Sequence, residues 1–376
     1  MTRLWIVPAA LLCLLLADYF VTPVISAPAP PMRRPKVEIV FVVDTTGSMS
    51  LIEPMKQKIY GLCNLILSAR PTPELRVGLV AFKDRDSPGN KEEYVIKPFD
   101  LRDNLDEVFA EFKTYSATGG GDTPEAVNEA LDHALTKLSW TKDRRTVRMM
   151  FLIGDAAPHM DYMDDVKYQV TCKRAADLGI PIHAIQSGSD KECDEHFAAI
   201  ARLSGGVHLK VDSSGGFKNW STDYDVKMRE LSQQLFRSAM PFGTGASRDQ
   251  ATKRMQQLVG LTGEAQLDRA ALLSRTRRLG DNDLLDAVMM GRVRLAEMKA
   301  EDLPEALRSL PENQRAAQLE KWIDQRQKLI EAIGELDRKR VASLLKRIEE
   351  NPNGMDAQIF LTFRKRAVPL LKYSNE

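Results

Sequence analysis

From Lys36 to about Met240 the chain alternates short apolar runs with amphipathic stretches. The runs "VEIVFVV" (37–43), "LRVGLVAF" (75–82), "EYVIKPF" (93–99), "VRMMFLI" (147–153), "IPIHAIQSG" (180–188) and "GVHLKV" (206–211) predict strands. Between them the spacing predicts helices over Ile52–Ala69, Pro124–Leu138, Asp164–Leu178 and Asp194–Leu203. Strands alternating with helices imply a doubly wound, mostly parallel α/β sheet covered on both faces. The short link "RDSPGN" (85–90) makes "EYVIKPF" an antiparallel edge strand.

After this unit the period breaks in "SAMPFGTGASRDQ" (238–250), read as a linker over 241–250, and an all-helical pattern follows over 251–376. Leu319, Trp322, Ile323, Leu329, Ile330, Ile333, Leu336, Val341, Leu344 and Ile348 recur at helical spacing without a sustained heptad. That pattern predicts helices packing on one another or on the preceding unit, and argues against a long coiled coil. From Pro241 onward 24 Lys and Arg stand against 20 Asp and Glu, a small and interleaved excess of four. The whole chain carries 53 basic and 52 acidic residues, so bulk charge does not point to nucleic acid.

The first 26 residues have the layout of a secretory signal peptide: Arg3, an apolar run from Leu4 to Leu16, then small residues before a Pro-rich stretch over 27–35. The expectation is a secreted or periplasmic protein beginning near Ala27, with no membrane span once the leader is removed. Asp18 stops the apolar run short of the ~20 residues a span needs. Outside the leader, Cys63, Cys172 and Cys193 remain. In an oxidising compartment one disulfide is expected between Cys172, on the helix entering "IPIHAIQSG", and Cys193 just beyond it, with Cys63 buried in a helix.

The chemistry gathers at strand ends. In a doubly wound sheet, loops leaving the carboxyl ends of the strands face the ligand crevice. The first strand runs into "DTTGSMS", placing Asp44, Thr46 and Ser48 at alternating positions with Gly47 closing the turn. One carboxylate and two hydroxyls are hard oxygen donors, suited to Mg²⁺ or Mn²⁺, with Ca²⁺ the remaining candidate. "ATGGGDTPEA" brings Asp122 or Thr123 to the same edge, and "LIGD" brings Asp155. Singly each is an ordinary cap or turn residue; their convergence is the signal. His159 in "DAAPH" either borders this site, where it would meet a partner, or is a half-exposed loop histidine. His133, His183, His196 and His208 are scattered, and Cys193-x-x-His196 is half a motif, so zinc is not expected from their spacing.

Asp44-x-Thr46-x-Ser48, the Gly-rich "TGGGDT" and "LIGD", in that order, resemble the metal-ion-dependent adhesion site of the von Willebrand factor type A domain, in the variety found in exported bacterial and hemicentin-like members. The resemblance covers about Lys36 to Met240. It implies a six-stranded sheet with a divalent cation over its carboxyl edge, Thr46 and Ser48 as direct ligands, and Asp44 and Asp155 acting through water or at longer range. It also implies a protein partner whose exposed Asp or Glu completes the metal shell. Two departures bear on function. Thr46 replaces the usual serine, and "GGGDTPEA" leaves open whether Asp122 or Thr123 ligates; a charged ligand would weaken the cation's pull on an acidic partner.

No H-E-x-x-H, G-x-S-x-G or P-loop pattern is present, so a binding module is expected rather than an enzyme. The expected function is cation-dependent protein binding or adhesion outside the cytoplasm. The alternative is an envelope assembly factor in which this unit is a scaffold and the helical tail binds the partner.

Overall fold

The computed structural model describes residues 34–85, 91–261, 263–277, 279–280 and 282–373. The expected leader, most of the Pro-rich segment after it and the turn at 86–90 lie outside the described residues. Six strands form one sheet: β1 (Lys36–Asp44), β2 (Glu74–Phe82), β3 (Ile96–Arg102), β4 (Val147–Gly154), β5 (Ile182–Ser187) and β6 (His208–Val211). Their order is β3-β2-β1-β4-β5-β6, all parallel except the antiparallel β2/β3 pair. Strand order reverses between β1 and β4, and in such sheets that switch point opens a crevice at the carboxyl edge.

Helices α1 (Ile52–Leu67), α2 (Leu105–Lys113), α3 (Val127–Thr136), α4 (Tyr168–Leu178) and α5 (Lys191–Ser204) cover the sheet. The period of two along β1 explains the two layers. Val37, Ile39, Phe41 and Val43 join α1 and α2 in one apolar cluster, while Val40 and Val42 join α3, α4 and α5 in another.

The rest of the described chain is helical: α6 (Asp225–Arg237), α7 (Gly245–Val259), α8 (Gly263–Thr276), α9 (Leu284–Met289), α10 (Glu305–Arg308), α11 (Glu312–Glu350) and α12 (Met355–Ala367), with two short 3₁₀ turns. This region shares the sheet's core. Val341, Leu344, Leu345 and Ile348 of α11 and Phe360 and Phe363 of α12 lie in the same buried cluster as β1 and α1. Farther toward its N-terminus, α11 places Ile330 and Ile333 against α6 and α8, and Leu319 beside α9 and α10. One 39-residue helix therefore ties three apolar clusters together.

Two expectations are corrected here. The helix expected from Pro124 begins at Val127. Glu125 instead bridges Pro158, with its N–H given to the Ala157 carbonyl (2.9 Å) and its carbonyl accepting the His159 N–H (3.0 Å), so the loop takes the carbonyl that a helix starting here would offer to the N–H four residues on. The expected disulfide is absent: Cys172 and Cys193 are free, buried thiols, as is Cys63. α4 and α5 each turn their cysteine into the apolar layer beneath the sheet, where the thiols serve as small hydrophobes. Burial pushes the Cys63 and Cys172 thiols up to about 12 and Cys193 higher still.

Among the described residues no helix is long and apolar enough to cross a membrane.

Candidate functional site

β1 ends at Asp44, fully enclosed between β2 and β4. Gly154 at the end of β4 makes room for it, since a Cβ there would come within 3.4 Å of both the Asp44 Cβ and Oδ2. Beyond Asp44 the loop alternates as its sequence suggests. Thr45 turns away, donating its hydroxyl to the Phe82 carbonyl (2.8 Å) and meeting the Tyr94 hydroxyl (2.9 Å). Thr46 turns back, and both its N–H (2.9 Å) and its hydroxyl (2.7 Å) donate to Asp44 Oδ1. The Thr46 hydroxyl lies 3.2 Å from that of Ser48, which donates to Asp155 Oδ1 at 3.0 Å. Asp44, Thr46, Ser48 and Asp155 thus form one continuous polar chain across the β1/β4 switch.

The Gly-rich loop closes over this chain. The Gly47 N–H donates to the Gly119 carbonyl (2.9 Å) and the Gly120 N–H to Glu92 (2.7 Å). Gly119 and Gly120 have φ of 77° and 96°, which favours glycine. A Cβ on Gly120 would crowd Thr46 at 3.2 Å, so this close approach also requires its absence.

The middle loop brings a further carboxylate to Thr46. Thr123 is exposed, and Asp122 meets His159 Nε2 at 3.2 Å. The carboxylate that turns inward is Glu125, only 3% exposed, whose side chain is hydrogen-bonded to that of Thr46. Its signal in the sequence was the "TPEA" run itself, hidden by reading Pro124 as the first helical position. His159 is 5% exposed, so it is buried rather than half-exposed.

The electrostatics are those of crowded carboxylates. Burial, opposed by the two Thr46 hydrogen bonds, pushes Asp44 up to about 7. Burial, with Asp44 and Asp84 nearby, pushes Glu125 up to about 10, and burial also raises Asp155. Lys83 is buried alongside, but its ammonium is engaged with the Thr45 carbonyl (2.9 Å), Thr118 and Glu92. Asp44 Oδ2 and Glu125 Oε2 are left buried without a hydrogen-bond partner. A hard divalent cation fits such a donor set, because it supplies the positive charge that an orphaned buried carboxylate oxygen lacks.

Against this geometry the comparisons are specific about the family. A model of the von Willebrand factor type A domain matches residues 38–216.

Residues 38–216 are a von Willebrand factor type A domain.

Domains of this kind bind protein partners. In this A domain Asp44 is the last residue of β1, Thr46 and Ser48 lie on the loop after it, and Asp155 lies just after β4. No curated protein matches the chain at a significant level. Solved structures similar to it include proximal thread matrix protein 1 from the mussel byssus, at 15% identity over 48% of this chain and 42% of that one (TM-score 0.37). A second structure of the mussel protein, described as having a zinc-occupied metal-ion-dependent adhesion site, aligns at 16% identity over 47% and 42% of the two chains (TM-score 0.37). The SpRpn10 A domain aligns at 14% identity over 48% of this chain and 89% of that one (TM-score 0.35). The chain thus spans less than half the length of the mussel protein.

Proposed function

We propose that the A domain binds a divalent cation, Mg²⁺ foremost, and that the cation bridges to an Asp or Glu of a partner protein. The observation that carries this reading is Asp44 Oδ2, buried and unpartnered beside Thr46, Ser48, Asp155 and Glu125. Thr46, Ser48 and the carboxylates would hold the ion, and Mg²⁺ characteristically keeps several waters, one of which a partner oxygen replaces. Inward-facing Glu125 takes the part the sequence left between Asp122 and Thr123. As an ionised ligand Glu125 would add its charge to those of Asp44 and Asp155, and so would weaken the cation's pull on a partner carboxylate. The leader-like first 26 residues support a place outside the cytoplasm, and the absence of nucleophile, zinc-protease and P-loop motifs supports binding rather than catalysis.

Calorimetric titration of Mg²⁺ and Mn²⁺ into wild type, Asp44→Ala and Ser48→Ala tests the site. Asp44→Ala removes a carboxylate and should weaken binding more than Ser48→Ala, which removes one hydroxyl. Equal affinity in all three overturns the reading. Partner capture from envelope extract should vanish with chelator and return with Mg²⁺. Capture that survives chelation places the binding surface away from the cation.

A further inference from the structure

Three loops that are distant in sequence bring Asp84, Asp122 and His159 together beside the first site. One ligand atom from each lies within 4.8 Å of the others. His159 Nε2 is 3.2 Å from Asp84 Oδ1 and 3.2 Å from Asp122 Oδ1. Its other nitrogen, Nδ1, is 2.8 Å from Asp161 Oδ1. With a cation bound, the ring proton would sit on Nδ1 toward Asp161, leaving the Nε2 lone pair for the metal beside two carboxylate oxygens. Three donor atoms within 4.8 Å of one another, two of their residues buried, make a donor set that a cation would satisfy.

We propose that Asp84, Asp122 and His159 form a second cation site, distinct from the Mg²⁺-type site, that takes a late first-row divalent ion, Zn²⁺ first. Ligands at about 2.05 Å in a tetrahedron stand roughly 3.3 Å apart, close to both His159 contacts. Imidazole nitrogen in the donor set favours Zn²⁺ over Mg²⁺.

The surroundings hold the three ligands in place as outer partners do in metal sites. Asp161 orients the ring through Nδ1. Tyr162 donates its hydroxyl to Asp84 Oδ1 (2.8 Å) and stacks on the His159 ring with centroids 4.0 Å apart. The Arg85 guanidinium lies over the Tyr162 ring, 4.2 Å from its centroid, and Asn128 donates to the His159 carbonyl at 2.6 Å. Asp84 and His159 are buried, while the Asp122 side chain is 68% exposed, so the site opens to solvent on one side. Three protein ligands and an open side leave a fourth position for water or a partner's donor atom. The two sites meet through Glu125, whose side chain faces the first and whose carbonyl accepts the N–H of His159.

The test is titration of Zn²⁺, and separately of Co²⁺ followed by its visible absorption, into the full chain in excess Mg²⁺. Wild type should bind one Zn²⁺ that Mg²⁺ does not displace. His159→Gln and Asp122→Asn should each weaken it about 100-fold or more, and Asp161→Asn by roughly 10- to 100-fold. Asp122 is exposed, so Asp122→Asn keeps the test valid if His159→Gln misfolds. Asp44→Ala should leave Zn²⁺ binding intact while weakening Mg²⁺, which separates this proposal from the first. Zn²⁺ affinity unchanged in both His159→Gln and Asp122→Asn overturns it. So does loss of Zn²⁺ binding in Asp44→Ala alone, and so does a wild type that binds no Zn²⁺.

Discussion

The Asn64 side-chain amide of α1 donates to Asp337 Oδ1 of α11 at 3.0 Å, joining two helices 273 residues apart in the chain. Arg275 of α8 completes the triangle, donating to Asn64 Oδ1 at 2.8 Å and pairing with Asp337. α1 follows directly on the loop that carries Thr46 and Ser48, so the helical region grips the element that supports the site.

Removing Asp337 should therefore destabilise the A domain as well as the tail. It is 1% exposed, and Asp337→Ala takes an acceptor from buried Asn64 and leaves the half-buried Arg275 guanidinium without its counter-charge. A loss of about 3 kcal/mol is expected. Urea unfolding followed by one probe in the sheet and one in α11 should show a single transition, shifted equally for both. A shift confined to α11 would show that the two regions unfold separately.

Gly61 of α1 makes the same junction close. A Cβ there would lie 2.6 Å from Asp268 Oδ2, and Asp268 is held by Arg340 at 2.5 Å. In an open helix Gly→Ala stabilises by about 1 kcal/mol. Here Gly61→Ala should instead destabilise by about 1–3 kcal/mol, because the buried carboxylate has to leave its guanidinium. Thermal unfolding checks the sign: a raised Tm would mean that α8 yields at no cost.

Acid should act through His183. Its ring is buried against Phe151, accepts the Val207 N–H at Nδ1 (3.2 Å) and leaves Nε2 without a partner. Burial, with Arg366 adding to it, lowers its pKa from the usual 6.5 to about 4. The unfolded chain therefore binds the proton first. Stability attributable to neutral His183 is complete above pH 6.5 and is lost as pH falls toward 4, about 3 kcal/mol in all. His183→Asn should flatten the wild-type decline between those pH values in urea titrations. An unchanged slope would remove His183 as its cause.

Thiol labelling checks the three cysteines. Cys63, Cys172 and Cys193 are each no more than 2% exposed, and burial raises all three. No thiol should react in the native protein, and three should react in unreduced denaturant once the leader is gone. A single reactive thiol would restore the disulfide.

What the sequence determined by itself was everything with a local period or a local motif. Apolar runs of strand length set the sheet, and a strand running into Asp44-Thr45-Thr46-Gly47-Ser48 put donors at its carboxyl edge because successive side chains must alternate. Asp155 was legible for the same reason. What only the tertiary structure decided was which side chain of an irregular loop turns inward. Glu125 and not Thr123 faces Thr46, in a loop whose Glu125 carbonyl is bound by the His159 N–H outside the helix. The grouping of Asp84, Asp122 and His159 and the Asn64–Asp337 contact depend on chain segments 37 to 273 residues apart. The cysteine pairing failed likewise: separation along the chain cannot tell which face of α4 or α5 a thiol lies on, and packing turned both into the core.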